Sequence, residues 1–173
     1  MVNNMSLKYT KLPSMIFIIL VFFIASGIGT AASKDIQYSE TYYNELGLSA
    51  FNKGFYDLLP RGEKGAADLC FEQAVTFFEK AIEIDGDFTE AHRNLARVYF
   101  IRKEYTLAVE EYKKVIALDP GDPDARLAIA SAYVKLGMND EAIEQLTAAK
   151  NQSDDPAVIE KLDRLIEGIH DTN

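Results

Sequence analysis

The chain is poor in the residues that most active sites need. It has one cysteine, Cys70, and two histidines, His92 and His170, in 173 residues. A single cysteine excludes an intrachain disulfide, a cysteine-rich zinc site and a Cys-x-x-Cys-His haem attachment. Basic residues are scarce as well, 18 against 27 acidic ones, for a formal net charge of −9. That balance excludes a sequence-independent grip on nucleic acid, which needs a basic surface to displace counterions. No glycine-rich phosphate loop, nucleophile elbow or His-x-x-x-His pair occurs. The acid clusters Asp119/Asp122/Asp124 and Asp154/Asp155 stand at expected helix N-termini, where carboxylates favour the helix dipole, and they lack calcium-loop spacing. No catalytic group, cofactor or metal site is therefore expected. With 48% hydrophobic and 26% charged residues, the chain is nevertheless an ordinary folding sequence and not a disordered one.

Charge is missing altogether between Lys11 and Lys34. The order there is basic residues (Lys8, Lys11), an apolar run from Met15 to Ala25, then small residues from Ser26 to Ser33. This is the order of a secretory signal peptide. Thr30 and Ala32 suit the −3 and −1 subsites of a signal peptidase, with cleavage before Ser33, and cleavage after Ala31 fits almost as well. An uncleaved anchor is the rival, because ~20 uncharged residues can cross a bilayer. The small-residue distal end favours cleavage. On either reading the lysines stay cytoplasmic and the rest of the chain faces outward. Residues 1–32 are thus expected to be a signal peptide or anchor, and 33–39 a linker.

Downstream, the sequence repeats with a period of 34: Leu95-Ala96 recur as Ile129-Ala130, Tyr99 as Tyr133 and Ala108 as Ala142. The same offset links Ala74 to Ala108, Phe78 to Tyr112, Ala81 to Val115 and Asp85 to Asp119. Small residues (Ala96, Ala108, Ala130, Ala142) would sit where helices cross closely, with Tyr99, Tyr112 and Tyr133 filling the gaps beside them. Pro120 ends one unit, since it cannot continue a helix. Two tandem copies of Asn94-Leu95-Ala96-x-x-Tyr99 … Tyr105-x-x-Ala108 … Tyr112 in register resemble the tetratricopeptide repeat (TPR) family. The expected fold is an all-α, right-handed solenoid of three helix-turn-helix units. They would span residues 40–88, 89–122 and 123–155, with a capping helix over 156–170. Asp155-Pro156 starts that last helix, and Val158, Leu162, Leu165, Ile166 and Ile169 form its apolar stripe. The first unit is abnormal. Leu46 to Leu95 is 49 residues, so an insertion lies at about 57–71. Within it, Leu59–Gly65 reads as a loop and Ala66–Phe71 as a backward extension of the second helix.

What the resemblance implies is a partner-binding concave groove lined by the first helix of each unit. Its positions here are Asn44, Leu48, Phe51 and Asn52, then Arg93, Arg97, Phe100 and Ile101, then Leu127, Ser131, Val134 and Lys135. The apolar members are expected to be free of the seams between repeats. The three cations, unpaired on an acidic protein, are expected to meet carboxylates. The partner would then be an apolar and acidic peptide or helix of another protein. The capping helix or the N-terminal segment could cover part of this groove, and the resemblance leaves a homo-oligomer open. Some TPR domains clamp acidic chaperone tails; Asn94 fits one clamp position, but Leu48, Asp124 and Ala128 stand where polar or basic residues are required. The same resemblance makes His92 a packing residue. The class implied is a non-catalytic, exported scaffold of the cell envelope, periplasmic or secreted. A carrier for one exported client is the alternative.

Overall fold

The computed structural model describes residues 38–171. Residues 1–32, the expected signal peptide or anchor, and most of the expected linker 33–39 lie outside them. Among the described residues there are seven α-helices and no strand: α1 (Glu40–Asn52), α2 (Lys64–Ile84), α3 (Thr89–Ile101), α4 (Tyr105–Leu118), α5 (Pro123–Leu136), α6 (Asn139–Asn151) and α7 (Pro156–His170). Each helix packs antiparallel-hairpin fashion on the next, so α1/α2, α3/α4 and α5/α6 form three units and α7 closes the last. None of these helices is long and apolar enough to cross a membrane.

Local chemistry sets the helix ends. Ser39 caps α1 by accepting the Tyr42 N–H at 3.2 Å. The Asp122 carboxylate accepts the Asp124 and Ala125 N–H groups at 2.9 and 3.1 Å, with Pro123 at the first helical position of α5. Asp155 and Pro156 repeat that arrangement at α7. In each case an otherwise orphan donor is satisfied, and the proline loses nothing because its N–H would be unpaired there anyway. The turn after α5 closes on Gly137 at φ 75°; the corresponding turn after α3 places Lys103 at φ 65°. The two positions are one repeat apart, so Lys103 takes a left-handed conformation that favours glycine.

The core follows the repeat. Ala74, Ala81, Ala96, Ala108 and Ala142 are fully buried, and Tyr112 and Tyr133 are buried beside them. One cluster joins the second and third units and includes Leu162 of α7; another fills the first unit and reaches Leu95 and Val98 of α3. Tyr99 packs against both. His92 is buried as a bridge: Nδ1 lies 2.7 Å from a Glu111 carboxylate oxygen and Nε2 2.9 Å from the Gly86 carbonyl.

The insertion differs from expectation. Instead of a loop over Leu59–Gly65, α1 runs on through a π-helical stretch (Lys53–Leu58) and a 3-10 turn (Leu59–Arg61), and α2 already begins at Lys64. Only Gly62 and Glu63 break the helices, Gly62 at φ 76°. Leu58, Ala67, Cys70 and Phe71 are buried, so the extra residues lengthen both arms of the first hairpin and pack on each other. Gly54 permits this close approach: a Cβ there would lie 2.9 Å from Phe71 Cε1 and 3.2 Å from the Ala67 carbonyl oxygen.

Candidate functional site

The first helices α1, α3 and α5 line a groove that contains an apolar cavity of about 270 Å³. Phe51 and Phe55 come from the first unit, Arg97, Phe100 and Ile101 from α3, Tyr112 from α4, and Ala128 and Ser131 from α5. Phe51 and Phe55 lie one helical turn apart with near-parallel rings, 5.5 Å between centroids. The Phe51 ring rests on Phe71 at 5.9 Å and carries the Arg97 guanidinium 5.1 Å above its centre. A cation over an aromatic face is held by the ring quadrupole and keeps its hydrogen-bonding edge free. Phe100 is fixed by an edge contact to Tyr105, 5.3 Å between centroids. Burial pushes the Tyr112 phenol up to about 12, against the opposing pull of Arg97 and Arg93, so it stays neutral at the cavity wall. The arrangement is an apolar hole with one cation at its wall, suited to a bulky side chain next to a carboxylate.

A second hollow, about 370 Å³, lies further along α5 and takes in Leu127, Ser131, Val134 and Lys135. Its other wall is α7, through Arg164, Leu165, Gly168 and Ile169. Leu48 and Asn52 instead open onto a polar recess shared with Glu45, Ser49, Lys53, Tyr56 and Asp57.

Two of the twelve groove positions are spoken for. Asn44 is buried and accepts a 3.0 Å hydrogen bond from the Asn94 side-chain amide, tying α1 to α3. Asn94 is thereby a structural partner and not a clamp residue. Arg93 is ion-paired with Asp122, the carboxylate that also caps α5. The expectation of three free cations is corrected to two, Arg97 and Lys135. The expectation that the apolar groove residues stand clear of the seams is corrected too. Phe51 is only 4% exposed, within the first-unit core, and Leu48, Phe100, Ile101 and Leu127 pack partly against the two cores. Their faces do double service, since the groove is shallow enough that its floor is also the outer layer of the core. Phe55 and Tyr112 were not expected at the groove, whereas α7 meets its far end as the covering reading of the capping helix allows. Phe55 was legible as the residue one turn beyond Phe51; Tyr112 reads from the repeat only as a seam residue.

With this geometry in place, comparison with known proteins defines the class. Family models described as tetratricopeptide repeat match residues 71–123 and 100–164. The chain belongs to the tetratricopeptide repeat family. Among solved structures it is similar to MamA, with 26% identity over 66% of this chain and a TM-score of 0.55. It spans 54% of the MamA chain, little more than half. It also resembles the type III secretion chaperone SycD of Yersinia enterocolitica, solved with a peptide of the translocator YopD. That match has 20% identity, 77% of this chain, 95% of that one and a TM-score of 0.59. PcrH, solved with the chaperone-binding region of PopD, matches at 17% identity, 79% and 96% coverage and a TM-score of 0.60. The last two likenesses are of fold alone. Both share the all-α repeat fold of this chain.

Proposed function

We propose that this protein is an exported, non-catalytic scaffold of the cell envelope that holds an apolar and acidic segment of a partner protein in its concave groove, in the assembly of an envelope or secretion complex. The observation that carries the reading is the cavity under Arg97: an aromatic-lined hole of about 270 Å³ with a cation on its wall, on a protein of net charge −9. Apolar anchoring gives such a site its affinity, and the guanidinium fork adds directional recognition of a carboxylate. SycD and PcrH, each solved with a segment of its own partner, lend support by analogy of fold. The order of basic, apolar and small residues over 1–32 supports export.

Crosslinking and affinity capture from the native host, with wild type beside Arg97→Glu and Phe100→Ala, tests the groove. Both variants should fold, since Arg97 is exposed and Phe100 half-buried, and both should lose the partner. Capture at wild-type level by both would remove the concave face from consideration. Copurification with a stable envelope complex fits a scaffold, whereas suppressed aggregation of one exported client would make the protein a carrier. A reporter active only outside the cytoplasm, fused after residue 40, should be active; an inactive fusion would refute export.

A further inference from the structure

The hollow between α5 and α7 has features that closing the array does not require. Its wall is apolar, with Leu127, Val134, Leu146 and Leu165, and Val134 and Leu165 are each about two-fifths exposed. Lys135 and Arg164 also line it. Lys135 makes no ion pair among the described residues, and the contacts of Arg164 stay on its own helix: Nε donates to the Glu160 carbonyl at 3.4 Å and the guanidinium lies a long 3.8 Å from the Glu160 carboxylate. The most telling residue is Gly168. A glycine inside a helix destabilises it relative to alanine. Such a residue is usually explained by a positive φ or by a close neighbour, as Gly47 and Gly54 are explained by aromatic rings against them. Gly168 has neither: its φ is not positive, and a Cβ there would meet nothing within 4 Å. Gly168 lies three and four residues from Leu165 and Arg164, so all three share one face of α7, and that face lines the hollow.

We propose that α7 is a binding wall as well as a cap: with α5 it takes an aliphatic side chain of the partner segment, flanking carboxylates pair with Lys135 and Arg164, and the bare backbone at Gly168 leaves room for the inserted group. This rests on the reading that the partner lies along the concave groove, and it makes the hollow a second anchor point beyond the cavity under Arg97. Charge selects the occupant. The chain's own first 37 residues carry Lys8, Lys11 and Lys34 against Asp35 alone, the wrong sign beside two cations. A second copy repeats a net charge of −9 and is repelled overall. An acidic, aliphatic segment of a different protein satisfies both the apolar wall and the cations.

The test uses the full chain and a short fluorescein-labelled peptide of alternating leucine and glutamate, with leucine-to-serine and glutamate-to-lysine versions as controls. Fluorescence polarisation with protein up to millimolar concentration should show the Leu/Glu peptide binding and both controls binding more weakly. Gly168→Met fills the hollow, and the pair Lys135→Glu with Arg164→Glu reverses its charge; each should weaken binding about tenfold or more. The unfolding midpoint of Gly168→Met should equal or exceed wild type, a separation that a merely structural role for Gly168 would not give. Should Gly168→Met unfold instead, the charge pair at exposed positions decides alone. If Phe100→Ala weakens the peptide while the α7 variants do not, this proposal falls and the groove reading stands. Loss in the α7 variants but not in Phe100→Ala supports this site and removes the cavity under Arg97. Indifference to every variant, or no binding by wild type, overturns the proposal.

Discussion

Replacing Gly47 by alanine puts the packing of the first hairpin to a sharp test, because intrinsic propensity and tertiary packing pull in opposite directions. Gly47 lies in the interior of α1, where alanine is the better helix former by about 1 kcal/mol. The added Cβ, however, would sit 2.5, 2.7 and 2.8 Å from Cε1, Cδ1 and Cζ of Phe78. Carbon atoms in contact prefer ~3.5–4.0 Å, so the ring edge must retreat by about 1 Å. Phe78 is fully buried and cannot move into solvent. Overpacking of this kind costs roughly 1–3 kcal/mol, and three ring atoms struck at once place it toward the upper end. Set against the propensity gain, the net loss is about 1–2 kcal/mol, or a fall in midpoint of ~3–6 °C for a domain of this size. Urea and thermal unfolding of the full chain measure it, and native-state hydrogen exchange should place the loss in α1 and α2, since repeat arrays lose stability locally. Gly168→Ala is the matched control. Nothing lies within 4 Å of the new methyl group, and that variant should gain a few tenths to about 1 kcal/mol. A Gly47→Ala protein as stable as wild type would mean that α1 and α2 do not approach as closely as described.

Three further outcomes are expected. Ala108→Phe enlarges a fully buried residue at the α4 crossing and should destabilise by roughly 1–3 kcal/mol; an unchanged thermal midpoint would contradict the repeat register. Lys103→Gly relieves a non-glycine residue at φ 65° and should stabilise by about 1 kcal/mol, read from the denaturant midpoint; a loss would show that the lysine side chain contributes more than its backbone strain removes. Tyr112 should make folding sensitive to alkali. Its phenol is raised from 10.0 to about 12 in the folded protein, so above pH 10 the unfolded chain releases a proton that the folded one retains. Stability from this group is complete below pH 10 and falls by about 1.4 kcal/mol per pH unit up to about 12. Tyr112→Phe should lack this fall, so the wild-type-minus-variant difference should slope downward between pH 10 and 12; parallel curves there would refute it.

The repeat was legible because it is a size pattern: alanines at the crossings and aromatics beside them recur at fixed offsets, and these are the residues the structure buries. The insertion was misread for a chemical reason. Leu59-Pro60-Arg61-Gly62-Glu63-Lys64-Gly65 has the composition of a loop, yet Pro60 sits at the start of a 3-10 turn, where its missing N–H is harmless. Gly62 alone provides the left-handed step, and Gly65 falls in the first turn of α2. Nothing local distinguishes that use of proline and glycine from an open loop. The apolar contacts that decide it, Leu58 with Cys70 and Phe71, become visible only once the hairpin is closed.

The groove was legible as a surface but not as a set of free side chains, and the difference lies in long-range pairing. Register puts Asn44 and Arg93 at groove positions. Each is then taken up by a partner far along the chain, Asn94 fifty residues on and Asp122 twenty-nine residues on. A period-34 pattern cannot show such pairs, because they join unlike positions of neighbouring units. Periodicity is equally silent on how the stripe of the capping helix divides. Of its apolar stripe Leu162 alone is buried, while Val158 and Leu165 remain exposed and Leu165 lines the hollow beside α5. A helix at the end of an array has a neighbour on one side only, so half of an apolar stripe can serve stability and half can serve recognition. The cations follow the same division: Arg93 is consumed in holding the second unit to the third, whereas Arg97 lines the cavity beside Phe51 and Lys135 and Arg164 line the hollow between α5 and α7.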